Sequence, residues 1–342
     1  MTNPSVDIIV PVWNNQVETR SCLAAILTHS PEARLIIVAS GSSRETELML
    51  EDFSEPLAEK ALYIISDRNV GLVPAINMGL ARSDSDFAVI VRPQVQVGPG
   101  WLAGLVEAAS SGIGTPLFRG SGAPMLPTVT KGCTLMETCG ASFFALALKG
   151  EMHMLLGGFD EGLDNGEWCL RDYIQRAGSR GYRTCVTART VLECRPAPVF
   201  GSSERLLEIA RVSENLCSQR WGITRRYCLY FGKSTEAATL AEEMETILAG
   251  ARQGHRFTLL LHRRQAADFR RLGWNGLHTG IELAGLSMLA PQRDLLKKVS
   301  ALRAESPEIQ LVNGRQDAAW PDNSVAIPFA RLAESLGRQK ST

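Results

Sequence analysis

The sequence predicts an α/β protein, with a mostly parallel sheet flanked by helices and a smaller C-terminal α/β unit behind it. Three observations carry this. Short apolar runs alternate with helical patterns from Asp7 to Val91, and a second alternation begins after Ile223. Hydrophobic residues make up 45% and charged residues 21% of the chain, the composition of a sequence that buries a core.

In order along the chain, Asp7–Val12 reads as a strand, followed by a helical pattern through Cys22, Leu23, Ile26 and Leu27. Arg34–Val38 repeats the strand, Ser40-Gly41-Ser42 turns the chain, and Glu45–Phe53 is helical. Leu62–Ile65 is a strand, Pro74–Ala81 a helix and Phe87–Val91 a further strand. From Ser110 to Gly132 the Gly, Pro, Ser and Thr content predicts an irregular loop. Regular pattern returns with a strand at Ala141–Leu148, a helix at Glu167–Ala177, a strand at Arg183–Val186 and a helix at Leu206–Trp221. The first domain is therefore expected over residues 1–225 and the second over 226–342. In the second, Tyr227–Phe231, Phe257–Leu261 and Ile309–Val312 read as strands, with helices at Glu236–Gly250 and Arg293–Ala304. Strand–helix alternation over short loops makes βαβ units, whose ligands sit outside the carboxyl ends of the strands. Pro11–Asn15, Val38–Ser43 and Arg92–Val97 are thus the loops expected to line a cleft.

Composition excludes several classes of function. With 36 Lys+Arg against 36 Asp+Glu the formal charge is zero, so no global field recruits nucleic acid or an anionic membrane. No apolar run approaches the ~18 residues of a membrane span, and the polar start is no signal peptide, so a cytoplasmic protein without an integral membrane segment is expected. The 8 cysteines form no CxxC pair and no zinc-like Cys/His array, and read as buried or free thiols. A Cys133–Cys139 disulfide is the weaker alternative to two small core residues.

A set of ordered motifs carries a resemblance. The first strand ends Pro11-Val12-Trp13-Asn14-Asn15 and the second Val38-Ala39-Ser40-Gly41-Ser42-Ser43. Asn69, Gly71, Ala75, Asn77 and Gly79 fit N-x-G-x-x-x-A-x-N-x-G, and Pro93-Gln94-Val95-Gln96 precedes Val97-Gly98-Pro99-Gly100-Trp101-Leu102. Further on stand Gly140-Ala141 and Gly157-Gly158-Phe159-Asp160-Glu161. In this order and spacing, residues 5 to 225 resemble a family 2 glycosyltransferase with the GT-A fold. The resemblance implies a nucleotide-sugar site at the strand ends, formed from Pro11, Trp13, Asn14, Ser40, Asn69, Asn77, Arg92, Gln94 and Gln96. Its partners would be a nucleotide sugar and a glycan acceptor.

The departures from the family pattern concern the metal. Where the family carries a D-x-D-like pair, this chain has Gln94-Val95-Gln96, which removes two negative charges and most of the pull on a hard divalent cation. Ala39 stands for the Asp after the second strand, and Cys194 for the His after the last one. No metal ligand and no cofactor are therefore expected, and an active enzyme would be metal-independent. The family's acceptor-activating carboxylate falls on Asp172 when Arg180-Gly181-Tyr182 is aligned to A-G-Y, and on Glu167 when Cys169-Leu170-Arg171 is aligned to C-L-R. A pairing of Glu167 with Arg171 at i,i+4 is the purely structural alternative.

Two other patterns carry less. Gly232-Lys233-Ser234-Thr235 ends like a phosphate loop but lacks its first glycine, Tyr227 standing there, so Ser234 or Thr235 is expected as a helix N-cap. The basic stretch from His255 to Arg271 reads as a solvated helix face. Two functions follow: a glycosyltransferase acting from a nucleoside-diphosphate sugar on a hydroxyl in glycan or polysaccharide assembly, or a catalytically inactive GT-A relative serving as a binding or assembly subunit. The C-terminal unit is expected to be an accessory domain, with self-association as one role open to it.

Overall fold

The computed structural model describes residues 4–196, 202–315, 318, 320 and 325–338. It resolves into two compact units, the first comprising Met1–Val129 with Gly140–Cys217, the second Thr130–Cys139 with Ser218–Thr342. The boundary after residue 225 is corrected on two counts, since the second unit begins at Ser218 and also takes a ten-residue segment from far upstream. The physical reason is hydrogen bonding. Glu137 N–H donates to the Leu277 carbonyl at 3.2 Å, Thr279 N–H donates to the Glu137 carbonyl at 2.8 Å, and Arg252 grips the Glu137 carboxylate with both Nε and Nη2 at 2.6 Å.

Unit 1 opens as three βαβ steps: β1 (Val6–Val12), α1 (Gln16–His29), β2 (Arg34–Ser40), α2 (Arg44–Ser54), β3 (Ala61–Ser66), α3 (Leu72–Leu80) and β4 (Phe87–Val91). It continues through β5 (Val95–Gln96), α4 (Trp101–Ala109) and β6 (Gly112–Arg119). After β7 (Leu135–Glu137), which lies in the unit 2 segment, come β8 (Ala145–Lys149), α5 (Gly150–Leu156), α6 (Glu167–Ser179), β9 (Arg183–Cys194) and α7 (Ser203–Trp221). The sheet order is β3-β2-β1-β4-β8-β6-β9-β5. β1 lies parallel to both β2 and β4, and only β8 and β5 run against the rest. β1, β2 and β4 are buried on both faces and read as continuous apolar runs, as central parallel strands do. One face packs Cys22, Leu23 and Ile26 of α1, Met49 and Leu50 of α2, and Trp101 and Leu105 of α4. The other packs Val73, Ile76 and Leu80 of α3, Met152 of α5 and Leu170, Tyr173 and Ile174 of α6.

The loop expected from Ser110 to Gly132 is corrected, because Gly112–Arg119 is strand β6. Its glycines serve close packing rather than turning. A Cβ on Gly114 would stand 2.5 Å from the Leu105 carbonyl oxygen of α4, and one on Gly112 would stand 2.8 Å from that of Arg183. Pro116 falls where the β6–β9 register shifts, a bulge position that tolerates the missing N–H.

At the amino ends of β1 and β2, Arg34 donates from Nε and Nη2 to both oxygens of Asp7 at 2.8 Å, while Asp7 is fully buried. Burial alone would raise the Asp7 pKa, but the Arg34 bonds, with Ser83 and Ser85, outweigh it and hold the carboxyl below its ordinary value of 3.8. A depressed carboxylate contributes stability that is present above its unfolded pKa and lost as pH falls through the folded one. Asp7→Asn is therefore expected to cost about 1–3 kcal/mol near neutrality. The cost should shrink below pH 3.8, as followed by circular dichroism in an acid titration. An identical penalty at every pH would remove Asp7 as the source.

Unit 2 contains β10 (Arg226–Tyr230), α8 (Ala241–Arg252), β11 (Arg256–Leu261), α9 (Arg263–Arg271), β12 (Ile281–Gly285), α10 (Pro291–Glu305), β13 (Gln310–Asn313), β14 (Ile327–Pro328) and α11 (Phe329–Arg338). The sheet is five-stranded and all parallel, in the order β12-β11-β10-β13-β14. Phe257, Leu259, Leu260 and Leu261 are the core of this unit, which accounts for the apolar run at this strand. The N-cap expected at Ser234 or Thr235 is corrected. The Thr235 hydroxyl turns back to the Phe231 carbonyl, and Gln265 of α9 donates to the carbonyls of Gly232 and Thr235 at 2.8 Å, so the loop is shaped from across the unit.

Candidate functional site

In unit 1 the chain passes from β1 outward to β2 and β3, then returns through α3 to β4 on the other side of β1. The strand order thus reverses between β1 and β4, and a crevice opens there at the carboxyl ends. The loops after β1, β2, β3 and β4 meet at this edge, and they are cross-linked.

Pro11 is buried at the end of β1, past the part paired with β4, so its lack of an N–H breaks no ladder there. Trp13 is half-buried just beyond. Asn14 takes a left-handed backbone conformation with φ 54°, which Asn tolerates better than most residues. Its N–H donates to Ser42 Oγ at 3.0 Å and its Oδ1 accepts from Ser43 N–H at 2.7 Å, latching the first loop to the second. Ser40 Oγ accepts from Val70 N–H at 2.9 Å and ties the second loop to the third. Asn69 Oδ1 accepts from Gly71 N–H at 2.9 Å. Gly41, at φ 57°, permits this crossing, since a Cβ there would stand 2.2 Å from the Asn69 nitrogen. Asn14, Ser40 and Asn69 therefore use their side-chain oxygens to build the edge. The Nδ2 groups of Asn14 and Asn69 have no protein partner among the described residues.

Asn77 is a different case. Its Nδ2 donates to the Phe159 carbonyl at 2.9 Å and to Glu161 Oε1 at 2.8 Å, while its Oδ1 accepts from Phe159 N–H at 2.9 Å. Both ends of the amide are engaged in holding the Gly157–Glu161 loop, which corrects its assignment to the ligand. A cleft of about 490 Å³ lined by Asn77, His153, Met154 and Glu161 opens beside this latch, on the carboxyl half of α3 rather than at the strand edge.

The residues standing for the metal motifs come together. β5 pairs with the end of β9, Val95 against Cys194 and Gln96 against Glu193. Gln94 is 4% exposed, and its Oε1 is buried without a hydrogen-bond donor. Gln96 Nε2 donates to Ser21 Oγ at 3.4 Å. Burial pushes the Cys194 thiol up to about 11, against the pull of Arg92, so it is protonated at neutral pH. Arg92 is half-buried, and its guanidinium carbon lies 4.8 Å from the centroid of the Phe144 ring. Burial pushes its pKa below the usual range, the Cys194 side chain acting the other way. No carboxylate pairs with Arg92 among the described residues. Two neutral amides, a protonated thiol and a guanidinium fit a divalent cation badly, because hard cations need charged oxygen ligands. Phe144, which no motif marks, is what the sequence analysis missed.

The two carboxylates separate clearly. Asp172 is 1% exposed. It accepts from Arg176 Nε at 2.9 Å, while Arg176 also donates to the Leu156 carbonyl at 3.1 Å and the Gly158 carbonyl at 3.0 Å. The Asp172 carboxylate, one of the two expected acceptor bases, is thus enclosed and engaged. Arg176, four residues on, was the overlooked partner. Glu167 is exposed in the first turn of α6. α6 leads into β9, which runs in the same direction as β4, so this turn lies on the carboxyl side of the sheet.

Comparison with known proteins agrees with this architecture. Residues 7–113 match the sequence profile of glycosyl transferase family 2. Undecaprenyl-phosphate 4-deoxy-4-formamido-L-arabinose transferase of Proteus mirabilis (strain HI4320) is 28% identical over 111 residues, 31% of this chain and 34% of that one. The match thus spans about a third of the curated relative's length. Among solved structures, mannosyltransferase PcManGT from Pyrobaculum calidifontis, in complex with GDP-Man and Mn²⁺, superposes with a TM-score of 0.51 at 15% identity, covering 99% of this chain and 88% of that one. GalNAc-T7 with UDP, GalNAc and Mn²⁺ gives a TM-score of 0.51 at 14% identity, covering 64% and 49%. The chain has the GT-A fold, and its residues 7–113 are similar to glycosyl transferase family 2, as the ordered motifs implied.

Proposed function

We propose that unit 1 transfers a sugar from a nucleoside-diphosphate sugar to a hydroxyl acceptor in glycan or polysaccharide assembly, without a divalent cation at the strand edge. The observation that carries this reading is Arg92, a half-buried cation without a carboxylate partner among the described residues, beside the two Gln that stand for the metal ligands. Burying a guanidinium without a carboxylate is unfavourable in the free protein and favourable once a diphosphate is bound. When the glycosidic bond to the donor breaks, charge develops on the leaving diphosphate, and a preorganised cation there is worth about 3–4 kcal/mol. Trp13 and the free Nδ2 groups of Asn14 and Asn69 supply planar and polar partners for base and ribose. Glu167 takes the proton of the acceptor hydroxyl. Both solved relatives hold Mn²⁺, and the neutral Gln94 and Gln96 are the ground for expecting this chain to differ. Among the described residues no helix is long and apolar enough to cross a membrane. A cytoplasmic reaction is the reading that a nucleotide-sugar donor supports.

The test is calorimetric titration of UDP-, GDP- and dTDP-sugars, with and without Mn²⁺. Binding of one of them is expected to be insensitive to EDTA and weakened at least about a hundredfold by Arg92→Met, the loss of a charge-assisted contact to a buried anion. Tight binding only with Mn²⁺, lost in Gln96→Ala, would overturn the metal-free reading. Binding without turnover on any acceptor would leave the assembly-subunit reading in its place.

A further inference from the structure

Unit 2 has a reversal of strand order of its own, between β10 and β13. At the carboxyl ends of these strands and of β11, four side chains gather. Tyr230 Oη and His262 Nε2 are 3.0 Å apart. The Tyr230 ring lies 5.9 Å from that of His262 and 5.7 Å from that of Trp320, centroid to centroid. Asn313 is the residue facing Tyr230 across the β10–β13 ladder. Two polar atoms of this group are removed from solvent yet have no hydrogen-bond partner among the described residues: Asn313 Oδ1, an acceptor, and Trp320 Nε1, a donor on a side chain 6% exposed. A buried polar atom left without its bond is costly, so the pair calls for a bound group that offers one donor and one acceptor.

Charge at the same edge points to the rest of the ligand. α9 starts directly after His262, and its first turn holds Arg263 and Arg264 with no acidic residue. A helix amino end is itself positive and normally attracts Asp or Glu, so two guanidinium groups there repel it and one another. Lys233, in the loop after β10, is exposed and has no ion pair among the described residues; its charge acts on His262. Gly232, at φ 79°, turns that loop, and the Gln265 amide holds it against the start of α9. An anion would relieve this arrangement, and a helix amino end is a suitable seat for phosphate.

We propose that the carboxyl edge of unit 2 is a second ligand site, taking a phosphorylated compound whose polar ring meets Asn313 and Trp320 while its phosphate meets Lys233 and the start of α9. A nucleotide and a sugar phosphate share this chemistry. The site is independent of Arg92, so the experiment uses the full chain carrying Arg92→Met, which removes the unit 1 site from view. Calorimetric titration is made with UMP, GMP, glucose 1-phosphate and inorganic phosphate. At least one of the first three is expected to bind, and to weaken about tenfold or more in Lys233→Ala and in Trp320→Phe. Binding of UMP or GMP alone identifies the ring as a base, and binding of glucose 1-phosphate identifies it as a sugar. Lys233 is exposed, so its variant keeps the test valid if Trp320→Phe unfolds. No binding by any of these probes, or affinity unchanged in Lys233→Ala, overturns the proposal, as does binding by inorganic phosphate alone.

Discussion

Glu167→Gln is expected to lower turnover at least about a hundredfold while leaving donor affinity unchanged. The substitution keeps the size and the hydrogen-bonding reach of the side chain and removes only its ability to accept a proton. Glu167 is exposed in the first turn of α6, on the side of the sheet where β1 and β4 end, and a base must come within about 3 Å of the acceptor hydroxyl. Steady-state kinetics with the donor identified by calorimetry would separate the effect on kcat from that on KM. The expected pattern is a fall in kcat and in kcat/KM together. A loss below about threefold would end the role given to Glu167.

The second large effect is on stability. Asp172→Asn is expected to destabilise unit 1 by about 3–5 kcal/mol, because it leaves one partner of a buried ion pair uncompensated. The pair does more than join two residues of one helix. Arg176 is oriented by Asp172 and reaches the carbonyls of Leu156 and Gly158, so the turn at Gly157 depends on it. Thermal unfolding should report the loss as a lower melting temperature, with donor binding retained in the folded fraction. An unchanged melting temperature with turnover lost would return the base to Asp172.

Much of the fold was legible from apolar runs alone. β1, β2 and β4 are buried on both faces and bounded by turn residues, so their runs are continuous and unambiguous. β6 was illegible because its Gly112, Gly114 and Pro116 look like loop residues. Their role, close approach of α4 and accommodation of a bulge, depends on neighbours distant in the chain. The same limit applies to the site. Motif spacing located Arg92, Gln94 and Gln96 at one strand end, which is local. It did not show that Asn77 grips a loop some 80 positions away, nor that Asp172 turns inward, because α6 has carboxylates on both its exposed and its buried side and spacing alone does not say which is which. The Phe144 ring beneath Arg92 comes from the turn just before β8, a strand that runs against its neighbours.

The segment Thr130–Cys139 has a consequence for how the protein is made. Thr138 and its hydrogen-bonding partner Thr279 are 141 positions apart. At roughly 5–20 residues per second, a ribosome needs about 7–28 s to reach Thr279 after completing Thr138. Throughout that interval Glu137 and Thr138 lack the partners that they take at Leu277 and Thr279. The hydrogen bonds of Glu137 and Thr138 to Leu277 and Thr279 therefore stay unmade, and a nascent chain that stops short of Thr279 can never form them all. Slowing translation between these points should raise chaperone occupancy on the nascent chain, whereas a stall after Thr279 has cleared the exit tunnel should not.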